Sequence, residues 1–496
     1  MMKRAKMRGA YCFLLCGMLA FAQEDLAEQS HHAKELMADG RFAEAIPIYE
    51  KLVKAVPGNT GLLLNLGLAE EMAGQPARAI PHLEAVLKAQ PDAVPALISL
   101  GMARLQVNQP REAMAPLRKL LTLDPKNTNA IGMLADAEMT QSLFEESAAH
   151  YRQLTEQNAE DPRAWYGLGK AYESLATRSF EQLNKSAPES AYVAILLADT
   201  RLQRKQYRSA FFFYKEAQRK QPDLPGLHAG LALVYRGTQH DDWADIERKQ
   251  EETLPAPDCK TQAAECAFLS GHYLEAVKAP TSAAALFWAT RAYNQLASQA
   301  FEHLNQLPES IQIHALKAQT LTDHRDTLAA ANEWKAALQL APDDSKLKRE
   351  YANALFNAKD YQTAIPMLEE QLPQDANDPD LNYLLGASLF RTEQPEKALP
   401  HLELVVKSHP EILPADAALG LTLVALNKNA EAIPYLKKAL ALDDDGSMHY
   451  SLARAYRATG ATQQAAEAMQ EYQKIQRQNQ DVNDQLAKEA EIAAPQ

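Results

Sequence analysis

Along the stretch from Thr60 to Ala93, one-face positions recur three to four residues apart: Leu63, Leu66, Gly67 and Glu70, then Ala79, Ile80, Leu83, Val86 and Leu87. This period predicts two helices, each presenting one stripe to a neighbour. Gly74 between them serves a turn, and Pro91 forbids the second helix to continue. The small residues Gly67 and Ala79 let two antiparallel helices approach closely. Such a hairpin leaves one apolar face uncovered, which only another copy can bury.

Other copies are present. Pro57, Pro91 and Pro125 are 34 residues apart, as are Ala45, Ala79 and Ala113. Counted from the first residue of the first helix, units begin at Leu26, Thr60, Val94, Thr128, Ala191, Pro225, Ile311, Ser345, Pro379, Leu413 and Gly446. The twentieth position of each is small, from Ala45 and Ala79 through Ser147 to Ala432 and Ala465. A larger side chain there would push the hairpin apart. Two residues further on, proline recurs as Pro47, Pro81, Pro366, Pro400 and Pro434, which reads as a kink in the second helix rather than a break.

This pattern resembles the tetratricopeptide repeat, a family of binding scaffolds. The resemblance implies an all-α fold, a right-handed superhelical α-solenoid of stacked antiparallel helix pairs, with other proteins or peptides as partners and no cofactor. It also implies a concave groove lined by positions 2, 5, 9, 12 and 13 of the first helices. In the N-terminal array these positions include Leu64, Leu68 and Met102, an apolar set. In the C-terminal array they include Arg349, Asn353, Phe356, Tyr383, Phe390, Arg391, Arg454 and Arg457. That aromatic and arginine mixture is the kind enriched at binding hot spots. The family's clamp for C-terminal carboxylates is matched in part by Arg349 and Asn353 and broken by Leu384 and Pro414, so that function is not carried over.

Two stretches depart from the 34-residue rule and resemble each other. Ala164 to Asn184 and Ala285 to Asn305 share Tyr172 with Tyr293, Leu175-Ala176 with Leu296-Ala297, Phe180-Glu181 with Phe301-Glu302, and Leu183-Asn184 with Leu304-Asn305. They read as an internal duplication of about 120 residues, each lead unit a single helix of about 22 residues because neither its LATRSFEQL nor its LASQAFEHL part holds a breaker. Between them, Pro255 to Pro280 is a degenerate unit with Gly271 and Ala276 at the turn and small positions. The organisation read from the chain is a leader at 1–22, an N-terminal array at 23–161, irregular central units at 162–310, a C-terminal array at 311–478, and a polar tail at 479–496 in which the last helix should fray.

Composition agrees with helices: 46% of residues are hydrophobic and only 7% aromatic. The formal charge is −13, a surface that repels phosphate backbones and anionic lipid, so no nucleic-acid partner is expected. The basic start, the apolar run from Gly9 to Ala22 and the Ala20-Phe21-Ala22 ending form the layout of a secretory signal peptide. The expectation is an exported, periplasmic or secreted protein whose mature chain does not insert into a membrane. After leader removal Cys259 and Cys266 are the remaining cysteines. In one helix they would be about 10 Å apart along the axis, too far to bridge, so a disulfide requires Cys259 to sit in the preceding turn. The sequence leaves a bridge and two free thiols open.

Gly167-Leu-Gly169 begins like a dinucleotide fingerprint, but Tyr172 replaces the third glycine. Histidines lack metal-site spacing, and no nucleophile elbow, HExxH or phosphate loop occurs, so neither a metal nor catalysis is expected. The sequence is thus read as a non-catalytic exported scaffold for protein interactions. The alternative is an accessory subunit of a cell-envelope secretion, pilus or outer-membrane assembly machine. An enzyme hidden in the centre, 255–308, would need a cluster of polar residues that ASQAFEHLN does not supply.

Overall fold

The computed structural model describes residues 26–278, 281–489 and 492–495. The leader at 1–22 lies outside the described residues. All regular structure among them is helical. Helix α1 (26–38) pairs with α2 (Phe42–Ala55), α3 (Thr60–Met72) with α4 (Pro76–Ala89), α5 (Val94–Gln106) with α6 (Pro110–Leu123), and α7 (Thr128–Thr140) with α8 (Phe144–Gln157). A lone α9 (Pro162–Ser186) follows. Then come α10 (Ala191–Gln203) with α11 (Tyr207–Lys220), α12 (Leu227–Gly237) with α13 (Asp241–Glu252), the short α14 (Ala263–Leu269) and α15 (Tyr273–Ala276), and a second lone helix, α16 (Ala283–Gln306). The remaining pairs are α17 (Ile311–Asp323) with α18 (Thr327–Leu340), α19 (Ser345–Asn357) with α20 (Tyr361–Gln371), α21 (Pro379–Arg391) with α22 (Pro395–Ser408), α23 (Leu413–Ala425) with α24 (Asn429–Ala439), and α25 (Ser447–Ala458) with α26 (Thr462–Glu489).

The chain divides into two compact units. One takes the described residues up to Arg178 together with Tyr293–Phe301; the other takes Ser179–Ala292 and the described residues from Glu302 onward.

Each hairpin is built by the same local rules. Several first helices start on a capping side chain one residue ahead of the unit: Asn59 accepts from the Leu62 N–H at 3.1 Å, and Asp344 and Asp378 do the same for Leu347 and Leu381, whereas Ala93 and Ile412 offer no such cap. The small twentieth position is sealed, with Ala45, Ala79, Ala113, Ala210 and Ala398 at 0% exposure. Four residues later a large side chain enters the hairpin. A Cβ on Gly101 would lie 2.6 Å from Leu117, so the glycine makes room for that leucine. Where tyrosine replaces leucine the space comes from the following unit: a Cβ on Gly230 would lie 2.3 Å from the Tyr214 ring. The recurring prolines do not break their helices, with α2, α4, α20, α22 and α24 each continuing through theirs.

The turn between helices follows a rule the sequence hides. Its second residue is left-handed in every regular unit: Gly40, Gly74 and Gly460, but also Asn108, Ser142, Lys205, Gln239, Arg325, Lys359, Glu393 and Asn427, with φ from 55° to 81°. Closing the hairpin dictates this conformation, and glycine only makes it easy.

The duplicated stretches are single helices, α9 of 25 residues and α16 of 24, with no turn at Thr177 or Ser298. In the first unit the equivalent tyrosines Tyr172 and Tyr293 stack with centroids 6.2 Å apart, and Phe301 lies 6.5 Å from Tyr166. A Cβ on Gly169 would meet the Phe301 ring at 2.6 Å, which explains this glycine without a nucleotide. In the second unit Arg291 ties α16 down: its guanidinium pairs with Asp199 at 3.1 Å and lies 5.2 Å from the Phe287 ring centroid. The last helix runs to Glu489, through most of the segment read as a fraying tail, and residues 492–495 rejoin the fold.

Candidate partner-binding groove

The C-terminal residues singled out in the sequence all fall in the second unit, on α19, α21 and α25. Phe356 is half-buried and meets Tyr383 edge-on at 5.9 Å and Tyr361 at 5.5 Å. Tyr383 and Phe390 are also half-buried, their inner sides packed on the core formed by Leu385, Leu389 and their neighbours. Burial pushes the Tyr383 phenol up, against the lowering influence of Arg391. Each ring is therefore partly in the core and partly exposed. The Arg391 guanidinium, exposed, lies 6.0 Å from the Phe390 centroid.

The arginines separate into two kinds. Arg349 donates to Asp378 Oδ2 at 2.6 Å and lies 3.6 Å from Asp380. Its charge is thus engaged in holding the N-terminus of α21. Burial raises the Asp378 carboxyl, but the Leu381 N–H and Arg349 outweigh it and hold the group below the usual range. Arg454 and Arg457 are exposed, and among the described residues no carboxylate lies within ion-pairing distance of either. Asn353 is exposed and accepts from Asn357 Nδ2 at 3.3 Å. Sequence reasoning passed over Asp378, although Asp-Pro at a helix start is a capping signal.

In the first unit, Leu64 and Leu68 are half-buried and Met102 is 36% exposed. Leu64 packs against the small core of Ala79, Leu83 and Val86, so the apolar N-terminal set is partly consumed in packing between repeats.

Cys259 lies in the loop before α14 and Cys266 within it, and the structure joins them in a disulfide with Cα atoms 5.5 Å apart. The other polar features are internal braces. Glu70, wholly buried, meets His82 Nδ1 at 2.8 Å, and Glu138 meets His150 at 2.7 Å. His228 meets Glu247 at 2.5 Å and His314 meets Glu333 at 2.7 Å. Each pair links the two helices of one hairpin at repeating positions, which explains these histidines without a metal or an acid–base role. Among the described residues no helix is long and apolar enough to cross a membrane.

Family models of the tetratricopeptide repeat match residues 36–105, 104–171, 260–415 and 417–480. The chain belongs to the tetratricopeptide repeat family. Solved structures similar to it include MamA from Desulfovibrio magneticus RS-1, 24% identical over 34% of this chain and 97% of that one, with a TM-score of 0.30. YrrB, described as a TPR protein with an unusual peptide-binding site, is 23% identical over 36% of this chain and 91% of that one, with a TM-score of 0.29. A tetratricopeptide repeat protein from Parabacteroides merdae ATCC 43184 is 12% identical over 66% of this chain and 98% of that one, with a TM-score of 0.30. No curated protein matches the chain.

Proposed function

We propose that this tetratricopeptide repeat protein is a non-catalytic, exported scaffold that holds an acidic, partly apolar partner segment on the face built by α19, α21 and α25. Protein binding is what repeats of this family do; the choice of face rests on one observation. Phe356, Tyr383 and Phe390 are only half-buried, with the exposed Arg391 near Phe390, and the first helix two units on carries the exposed Arg454 and Arg457, all on a chain of net charge −13. Unpaired arginines in an acidic background attract carboxylates, while half-covered rings bury apolar side chains. The leader-like first 22 residues support the periplasm or the exterior as the place of action, and a role beside a secretion or assembly machine would use the same face.

The test is binding of synthetic acidic-apolar peptides by calorimetry, with isosteric amide peptides as controls. Changing Tyr383 and Phe390 together to alanine should weaken binding by more than about 2 kcal/mol while leaving the helical signal intact. Equal binding of acidic and amide peptides, or a double variant that binds as wild type, overturns the assignment.

A further inference from the structure

The degenerate pair α14 and α15, of 7 and 4 residues, is shorter than a full hairpin. The chain's own C-terminal segment lies against α12. Tyr235 of α12, fully buried, donates its hydroxyl to the Ala493 carbonyl at 2.7 Å. Ile492 is half-buried and packs on the core cluster that contains Leu231, Tyr235 and, at its edge, Trp243. Trp243 meets Tyr235 edge-on at 5.6 Å and stacks on His240 at 4.2 Å, so the wall beside the segment is a fixed aromatic stack. Residues 492–495, Ile-Ala-Ala-Pro, are in no helix, and Ala493 and Ala494 are exposed. This is how a short peptide is held: one apolar anchor, one hydrogen bond to a main-chain carbonyl, small residues between.

We infer that the α12–α13 face is a second peptide-binding site, for short extended segments with a branched apolar anchor followed by small residues, and that the chain's own residues 492–495 occupy it in cis. The site is separate from the arginine-bearing face, and its recognition is apolar. A tethered occupant acts at an effective concentration in the millimolar range, so a partner segment of the same chemistry gains access only by displacing it.

The experiment uses the full chain and a fluorescein-labelled synthetic peptide of its last nine residues. The variant Ile492→Asp, which removes the anchor from the tethered copy alone, should bind this peptide at least about tenfold more tightly than wild type does. Adding Tyr235→Phe to that variant should weaken the peptide by about fivefold, the worth of one neutral hydrogen bond. A peptide carrying aspartate in place of its isoleucine should not bind. Equal affinity of wild type and Ile492→Asp, or no binding by Ile492→Asp with its circular dichroism unchanged, overturns the site. A wild-type dimer that Ile492→Asp converts to monomer overturns the cis arrangement, since the segment would then come from a second copy.

Discussion

The fold accepts backbone strain at several turn residues, of which Lys359 offers a test. Lys359 sits at φ 62° between α19 and α20, where a side chain costs about 1 kcal/mol relative to glycine. Lys359→Gly should raise stability by about 0.5–1 kcal/mol, read as an upward shift of the urea midpoint, because relief of strain exceeds the added freedom of the unfolded chain. A fall would mean that the lysine stem contributes packing. His228 offers a second residue-scale test. Its hydrogen bond to Glu247 raises its pKa, against the lowering effect of burial. A raised folded value means the pair's stabilisation is complete below the unfolded histidine pKa, about 6.5, and is lost as pH rises through the folded value. The melting-temperature gap between wild type and His228→Gln should therefore be wider at acidic than at alkaline pH; a gap independent of pH would show that the proton is not shared as described.

At the scale of the element, the seven-residue helix α14 is tied through its middle residue to the preceding loop by Cys259–Cys266. A closed loop of this length stabilises by about 2 kcal/mol in the chain-entropy account. The untreated protein should weigh less than the reduced form by the two thiol hydrogens, and reduction should lower its melting temperature; two alkylatable thiols before reduction would refute the bridge. Elements like these show what a sequence discloses. Hairpins, sealed alanines and the two long helices were legible because each follows from spacing along one helix. The left-handed turn residues were not, since lysine or glutamate at φ near 60° carries no compositional mark. Nor was the pairing of Arg349 with Asp378 or the seat of Ile492 near Tyr235, for those contacts join residues of different units of the repeat. Repetition predicts what lies within a unit; it says little about what closes an irregular one.

For the molecule as a whole, charge decides how the proposed face works. The chain carries 51 basic and 64 acidic residues, so a segment rich in carboxylates is repelled at a distance and drawn in only near unpaired cations. Arg349 is not one of them, because Asp378 and Asp380 already answer its charge. The arginines should therefore separate by experiment. Arg349→Ala should lower stability by about 0.5–1 kcal/mol through the lost brace on α21, and leave peptide affinity within about twofold of wild type. Replacing Arg454 and Arg457 together by alanine should do the reverse, leaving the melting temperature unchanged and weakening acidic peptides by about 1 kcal/mol at low salt. That loss should shrink as salt rises, because the Debye length falls from about 10 Å at 0.1 M to about 3 Å at 1 M while the aromatic contribution persists. If affinity follows Arg349 instead, the peptide competes with Asp378 for its guanidinium, and binding would loosen the start of α21. If neither change alters binding at any salt concentration, the acidic partner belongs to another face.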